Sequence, residues 1–280
     1  MNQRTWLVTG INSGFGRILT EKLLEQGDRV AGTVRSLDSV ADLKERHGAS
    51  LWLADLDVTD TTNVYGVVNR AFGELGRIDV IVNNAGYGLF GPAESLSEEQ
   101  IAHQIGTNLL GSIHVIKASL PHLREQGGGR ILQISTYGGQ AAGPGGSLYH
   151  ASKWGIEGFC EALMVELAPF GIGVTIAEPG GARTGFRSRG AQLGERLEAY
   201  EGTPAAMPYR VLGDPSIKPL GDPSKMVDLM IGAVGQEPAP KRVVLGTDAY
   251  TALTRALRDR LADIEPQAVS AASSDFPAGS

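Results

Sequence analysis

Between Trp6 and Gly16 the chain reads Trp6-Leu7-Val8-Thr9-Gly10-Ile11-Asn12-Ser13-Gly14-Phe15-Gly16, an apolar strand passing directly into a glycine-rich turn. A helix follows from about Gly14 to Gln26, with Ile18, Leu19, Leu23 and Leu24 on one face, so the segment is a βα unit. Further strands are expected at Arg29 to Val34, Ser50 to Ala54, Ile78 to Val82, Arg130 to Ile134, Gly173 to Ala177 and Arg242 to Leu245, each set apart by a helical pattern or a long loop. Runs such as Val80-Ile81-Val82 and Val174-Thr175-Ile176-Ala177 are apolar throughout, which suits strands covered on both faces. Strands alternating with helices mean an α/β fold with one doubly wound parallel sheet of about seven strands and helices on both faces.

A chain of 280 residues can bury one large core without disulfides or metal. With 42% hydrophobic and 20% charged residues, it is neither disordered nor fibrous in composition. Its 38 glycines are roughly twice the usual share, without a period of three, so many turns are expected to be tight. Net charge is -6, which provides no basic face for nucleic acid. Cys160 is the single cysteine, so an intrachain disulfide and a polythiolate zinc site are both excluded, and a cytoplasmic location is expected. Neither a signal peptide nor an apolar run of about 18 residues is present, so no membrane span is expected. Residues 1–265 are read as one domain. Within it, about 183–222 forms a glycine- and proline-rich substrate lid carrying Phe186, Leu193, Tyr200, Met207 and Tyr209, and 266–280 form a flexible tail.

The glycine turn, Gly10 to Gly16, opens the first helix, where glycines let the backbone approach a diphosphate and the free amides of the helix start attract its charge. A glycine turn without a ligand gives the same spacing. The second strand ends Val34-Arg35, where a dinucleotide fold reads the adenosine ribose; a carboxylate there would bind the 2′-hydroxyl of NAD, whereas Arg35 suits the 2′-phosphate of NADP. Asp57-Val58 and Asn83-Asn84-Ala85-Gly86 follow the third and fourth strands, at the strand ends where open α/β sheets bind ligands. Tyr149 and Lys153 stand four residues apart, on one face of a helix running to about Leu167, so that the ammonium can stabilise a phenolate. None of the histidines has metal-ligand spacing, no metal is expected, and His150 is read as facing away from Tyr149.

Taken together and in this order, the glycine loop, Asp57-Val58, Asn83 to Gly86, Asn108, Tyr149 with Lys153, and Pro179-Gly180-Gly181-Ala182-Arg183-Thr184 resemble the short-chain dehydrogenase/reductase family over about residues 4 to 263. The resemblance implies a Rossmann-type fold and an NADP(H)-dependent oxidoreductase. It implies that Tyr149 is the general acid-base, that Lys153 lowers its pKa and holds the nicotinamide ribose, and that Asn108 supports a proton-relay water. Gly10, Asn12, Ser13, Gly14, Phe15 and Gly16 would hold the diphosphate and Arg35 the 2′-phosphate, Pro179, Gly180 and Thr184 would border the nicotinamide, and Asp57, Val58, Asn84, Ala85, Gly86 and Ala182 would also contact the cofactor, with Tyr149 and Lys153. The family's substrate-orienting serine falls thirteen positions before the tyrosine, which here is Thr136, with Ser135 beside it as the alternative. Gln133 to Gly139 and the long carboxyl-terminal region look similar to the branch that includes hydroxysteroid and retinol dehydrogenases. The expected reaction interconverts a ketone or aldehyde with an alcohol, on an apolar small molecule, in a homodimer or homotetramer. Two rival readings are a non-catalytic NADP-binding redox sensor and an NAD-dependent dehydratase or epimerase.

Overall fold

The computed structural model describes residues 3–276. All five residues of β1 (Thr5–Thr9) are buried, with Trp6 and Val8 packed to one face and Leu7 to the other. A left-handed glycine, Gly10 at φ 73°, turns the chain into α1 (Gly14–Glu25). The chain continues through β2 (Arg29–Val34), α2 (Ala41–His47), β3 (Leu51–Asp55), α3 (Thr61–Leu75) and β4 (Val80–Asn83). After β4 come β5 (Gly88–Phe90), α4 (Glu98–Ile105), a π-helical stretch at Gly106–Gly111, α5 (Ser112–Glu125), β6 (Gly129–Ile134) and α6 (Ser147–Leu167). The remainder is β7 (Ile172–Pro179), β8 (Ala191–Leu193), α7 (Met207–Gly213), α8 (Pro223–Val234), β9 (Arg242–Leu245), α9 (Thr247–Ile264) and α10 (Ala268–Ala272).

Seven strands form one sheet in the order β3-β2-β1-β4-β6-β7-β9, parallel throughout, with Thr9 opposite Thr33 and Val8 opposite Val82. Alternate strand residues divide the core in two. Leu7, Ala31, Ile81, Ile131 and Val174 pack beneath α3, α5 and α6, while Trp6, Val8, Val30, Val82 and Leu132 pack beneath α1, α2 and α8. Because β2 and β4 flank β1 on opposite sides and lead away from it in opposite directions, a crevice opens at the carboxyl ends of β1 and β4.

All seven expected strands are present, four of them with a boundary moved by one or two residues and β7 running on to Pro179. Sequence patterning did not show β5 and β8, which pair in parallel as a second, two-stranded sheet. The expected lid is therefore more than a loop: it carries β8, a π-helical turn at Phe186–Gly190 and α7, and Tyr209 donates its hydroxyl to the carbonyls of Gly194 and Glu195. The tail expected from residue 266 is helical over Ala268–Ala272 with its described residues exposed; residues 277–280 lie outside the described residues, as do Met1 and Asn2.

Candidate active site

At the carboxyl edge of the sheet lies a cavity of about 870 Å³, lined by Gly10, Asn12, Ser13, Gly14 and Phe15 of the glycine turn. Ser13 occupies the N-cap of α1 without making a side-chain cap bond, which leaves the first-turn amides available to an anion. Gly14 has φ 57°, and a Cβ built on it would meet only Thr184, at 3.9 Å, so there is room in front of the turn. Gly16 sits behind the lining, where a Cβ would overlap the Gly10 carbonyl and the Asn84 amide. The Asn84 amide donates to the carbonyls of Thr9 (2.9 Å) and Gly10 (3.0 Å), and the Thr9 hydroxyl accepts from the backbone of Asn84 and Ala85 at 3.0 Å each. The strand end after β4 thus holds the glycine turn in place. This turn, free of a side-chain cap and with open space in front, fits a dinucleotide diphosphate.

Farther along the cavity, Arg35 is exposed beside buried Val34, with Asp57 and Val58 on the same wall. Burial would raise the Asp57 carboxyl, but the Thr59 amide (2.9 Å) and hydroxyl (2.7 Å), with Arg35 and His103 nearby, hold it below its ordinary value. Asn84, Ala85 and Gly86 line the cavity on one side, and Pro179, Gly180, Ala182 and Thr184 on another. Asn108, in the π-helical stretch, lies outside the lining. Its side chain donates to the Tyr87 carbonyl (2.8 Å) and the Ser152 hydroxyl (3.2 Å) and accepts from the Tyr87 amide (3.0 Å), so it braces the wall.

The cavity brings Thr136, Tyr149 and Lys153 together. Tyr149 is half-buried near Phe90 and Phe186, at ring-centroid distances of 5.2 and 6.2 Å. Lys153, on the same face of α6, is buried and donates to the Ile134 carbonyl at 2.9 Å. Burial brings its ammonium down to about 8, while the Glu157 carboxylate acts in the opposite direction. Tyr149 departs from the sequence expectation: burial pushes its phenol well above the ordinary value, and the opposing influence is a hydrogen bond with Thr136 rather than the Lys153 charge, which is engaged with Ile134.

Of the two adjacent hydroxyls, Thr136 lies within hydrogen-bonding reach of the Tyr149 phenol and of the Pro179 carbonyl (3.2 Å). The Ser135 hydroxyl donates to the Glu157 carboxylate. His150 does not face away from the site as the sequence reading has it. It lines the cavity, with its ring 5.9 Å from that of Tyr149, because Nδ1–H donates to the Gly138 carbonyl at 2.9 Å and ties the ring under that turn. Among the described residues no group of three His, Cys, Asp or Glu side chains is placed to hold a metal.

Several residues at the site carried no recognisable motif. Asp248, at the start of α9, accepts from the Gly181 amide at 2.7 Å and so fixes the Pro179 to Ala182 wall. Residues 183–222 add apolar Phe186, Met207, Val211, Leu212 and Ile217 to the lining, together with the cations of Arg187, Arg189 and Lys218. Behind the lining, Glu157, Glu178 and Arg242 form a buried charged cluster. The one available signal was the placement of Glu157 a helical turn beyond Lys153, an acid on the inward face of an otherwise apolar helix.

The model of the short chain dehydrogenase family matches residues 4–192 of this chain. An oxidoreductase of Botryotinia fuckeliana, BOA17, is 35% identical over 247 residues, covering 88% of this chain and 90% of that one. Human 17-beta-hydroxysteroid dehydrogenase type 1 is 36% identical over 192 residues, 65% of this chain and 58% of that one. The crystal structure of a short-chain dehydrogenase from Streptomyces avermitilis superposes with a TM-score of 0.91 at 36% identity, covering 98% of this chain and 99% of the other.

Proposed function

The chain belongs to the short-chain dehydrogenase family of oxidoreductases, and from that premise we propose that it interconverts a ketone or aldehyde with the corresponding alcohol using NADP(H). The observation that carries this reading is the meeting of the Tyr149 phenol, the Thr136 hydroxyl and the buried Lys153 ammonium in one cavity with an uncapped glycine turn. A nicotinamide dinucleotide bound along that turn supplies the hydride in reduction and takes it up in oxidation. Tyr149 gives its proton to the carbonyl oxygen as charge develops there, and Thr136 donates a hydrogen bond to the same oxygen. Thr136 opposes the burial that raises the resting phenol, and the Lys153 ammonium on the same helix face would stabilise the phenolate once it forms. In oxidation the phenolate takes the alcohol proton. Asn108 contributes through the wall it braces, next to Tyr87 and Ser152.

NADP(H) is favoured over NAD(H) because β2 ends at Val34 and is followed by Arg35, with no carboxylate at either position to repel a 2′-phosphate. An apolar substrate is favoured by Phe90, Phe186, Val211 and Leu212 on the cavity wall. We read the protein as a cytoplasmic homodimer or homotetramer; among the described residues no helix is long and apolar enough to cross a membrane.

The test is single-turnover oxidation of NADPH with an accepted ketone. Tyr149→Phe should slow hydride transfer by at least about 100-fold, the usual scale of general acid-base catalysis, while NADPH binding stays close to that of the parent. Full activity in Tyr149→Phe would sink the mechanism. If the parent binds NADPH but reduces nothing in a broad carbonyl screen, the redox-sensor reading takes its place.

A further inference from the structure

One helical turn beyond Lys153, the Glu157 carboxylate is only 2% exposed and fully engaged. Oε1 accepts the Ser135 hydroxyl from the end of β6, and Oε2 pairs with Arg242 Nη1 of β9 at 2.5 Å. The same Nη1 lies 2.7 Å from Oε1 of Glu178 on β7, which also accepts the Gln140 amide, while Nη2 reaches Glu161 at 2.6 Å. Gly139 presses on the cluster so closely that a Cβ there would overlap the Glu157 carboxylate. Each tie ends beside a residue of the site: Ser135 adjoins Thr136, Glu178 adjoins Pro179, and Glu157 shares a helix face with Lys153.

Two buried carboxylates sharing a guanidinium are a weak source of stability, since desolvation consumes most of the attraction. Their placement fits a different purpose. Resting on the assignment of Tyr149 and Lys153 as the acid-base pair, we propose that Glu157 is a positioning residue for hydride transfer: it accepts the hydrogen bond of the Ser135 hydroxyl, which leaves Thr136 as the hydroxyl beside Tyr149, and its charge sustains the buried Lys153 ammonium. The charges felt by Lys153 support the second role. Glu157 raises its proton affinity and burial lowers it, with Cys160 on the same helix as the other titratable neighbour. Around Glu157 the charged groups are Arg242 of β9, which pairs with it, and the two further carboxylates that Arg242 reaches, Glu178 of β7 and Glu161 one turn farther along α6.

The test is the pH profile of kcat/KM in Glu157→Gln, alongside NADPH affinity measured by fluorescence over the same range. Glutamine keeps the shape and removes the charge, so the alkaline limb should move to lower pH. The result should be a deficit of about tenfold or more at pH 8.5 that shrinks towards pH 6.5, with NADPH affinity weakening over the same interval. Glu157→Asp keeps the charge and should follow the parent limb. An equal loss at every pH would mean a merely structural role and would overturn the proposal, as would no loss at all. If Glu157→Gln does not fold, Arg242→Gln removes the competing cation and should move the limb to higher pH; an unmoved limb overturns the proposal. Activity in Tyr149→Phe would instead overturn the underlying assignment, which keeps the two failures apart.

Discussion

Thr136 and Ser135 are adjacent hydroxyls with opposite commitments, one within reach of Tyr149 and the other donated to Glu157. Thr136→Ala should therefore lower turnover about tenfold or more, Thr136→Ser should retain most of it, and Ser135→Ala should leave chemistry nearly intact while costing roughly 1–3 kcal/mol of stability for the donor lost to a buried carboxylate. Comparing kcat with urea unfolding separates the two effects, and a Ser135→Ala variant less active than Thr136→Ala would reverse the assignment. Arg35 makes a different prediction. A charge-assisted contact to a 2′-phosphate is worth about 1.5–3 kcal/mol, so Arg35→Ala should erase an order-of-tens preference for NADPH over NADH in a fluorescence titration of both. At this scale the sequence was legible where chemistry demands fixed spacing along one element, as in the glycine turn and in Tyr149 with Lys153. It was not legible for Glu157 and Arg242, which meet only because β6, β7 and β9 lie side by side, a fact of sheet order that no local pattern contains. His150 was misread because a helix position alone does not reveal the turn at Gly138 that receives its ring.

Among the elements, the strands were easiest to read, since a parallel sheet covered on both faces writes itself as apolar runs. The pair β5 and β8 escaped because three residues flanked by glycine carry too little periodicity to register. Yet this pair pins the first third of the expected lid to the strand end after β4, with the Gly194 amide adding a bond to the Phe90 carbonyl at 2.8 Å. The lid should consequently loosen in pieces. In hydrogen exchange without dinucleotide, amides of Ala191–Leu193 should be protected together with Gly88–Phe90 by their strand pairing, while the flanking stretches outside any sheet exchange faster and slow down when NADPH is added. Exchange of Ala191–Leu193 at the rate of those flanking stretches would show that the two-stranded sheet does not anchor the lid.

At the scale of the whole molecule, the buried Lys153 ammonium costs the protein stability. Lys153 falls from an ordinary 10.5 to about 8, so between those values the unfolded chain binds its proton more tightly than the folded one, and stability from this group rises with pH across that window. Below about pH 8 the full penalty applies. Lys153→Met should abolish turnover yet stabilise the fold at pH 7 by up to about 3 kcal/mol, an advantage over the parent that fades between pH 8 and 10.5. Thermal melts of both proteins across that range would check this, and a gap that widened with pH would contradict it. The common direction of the strands reaches further. Turns entering β2, β4 and β6 sit at the rim away from the cavity, and there Gly27, Gly76 and Gly127 have nothing within 4 Å of a would-be Cβ but are held by their backbone, at φ 88°, 78° and 82°. At the opposite rim Gly16, Gly139 and Gly180 are crowded by Asn84, Glu157 and Asp248. At the cavity rim each of these three glycines is thus locked to the side chain that presses on it, so none can gain a side chain unless its neighbour is cut back in the same step.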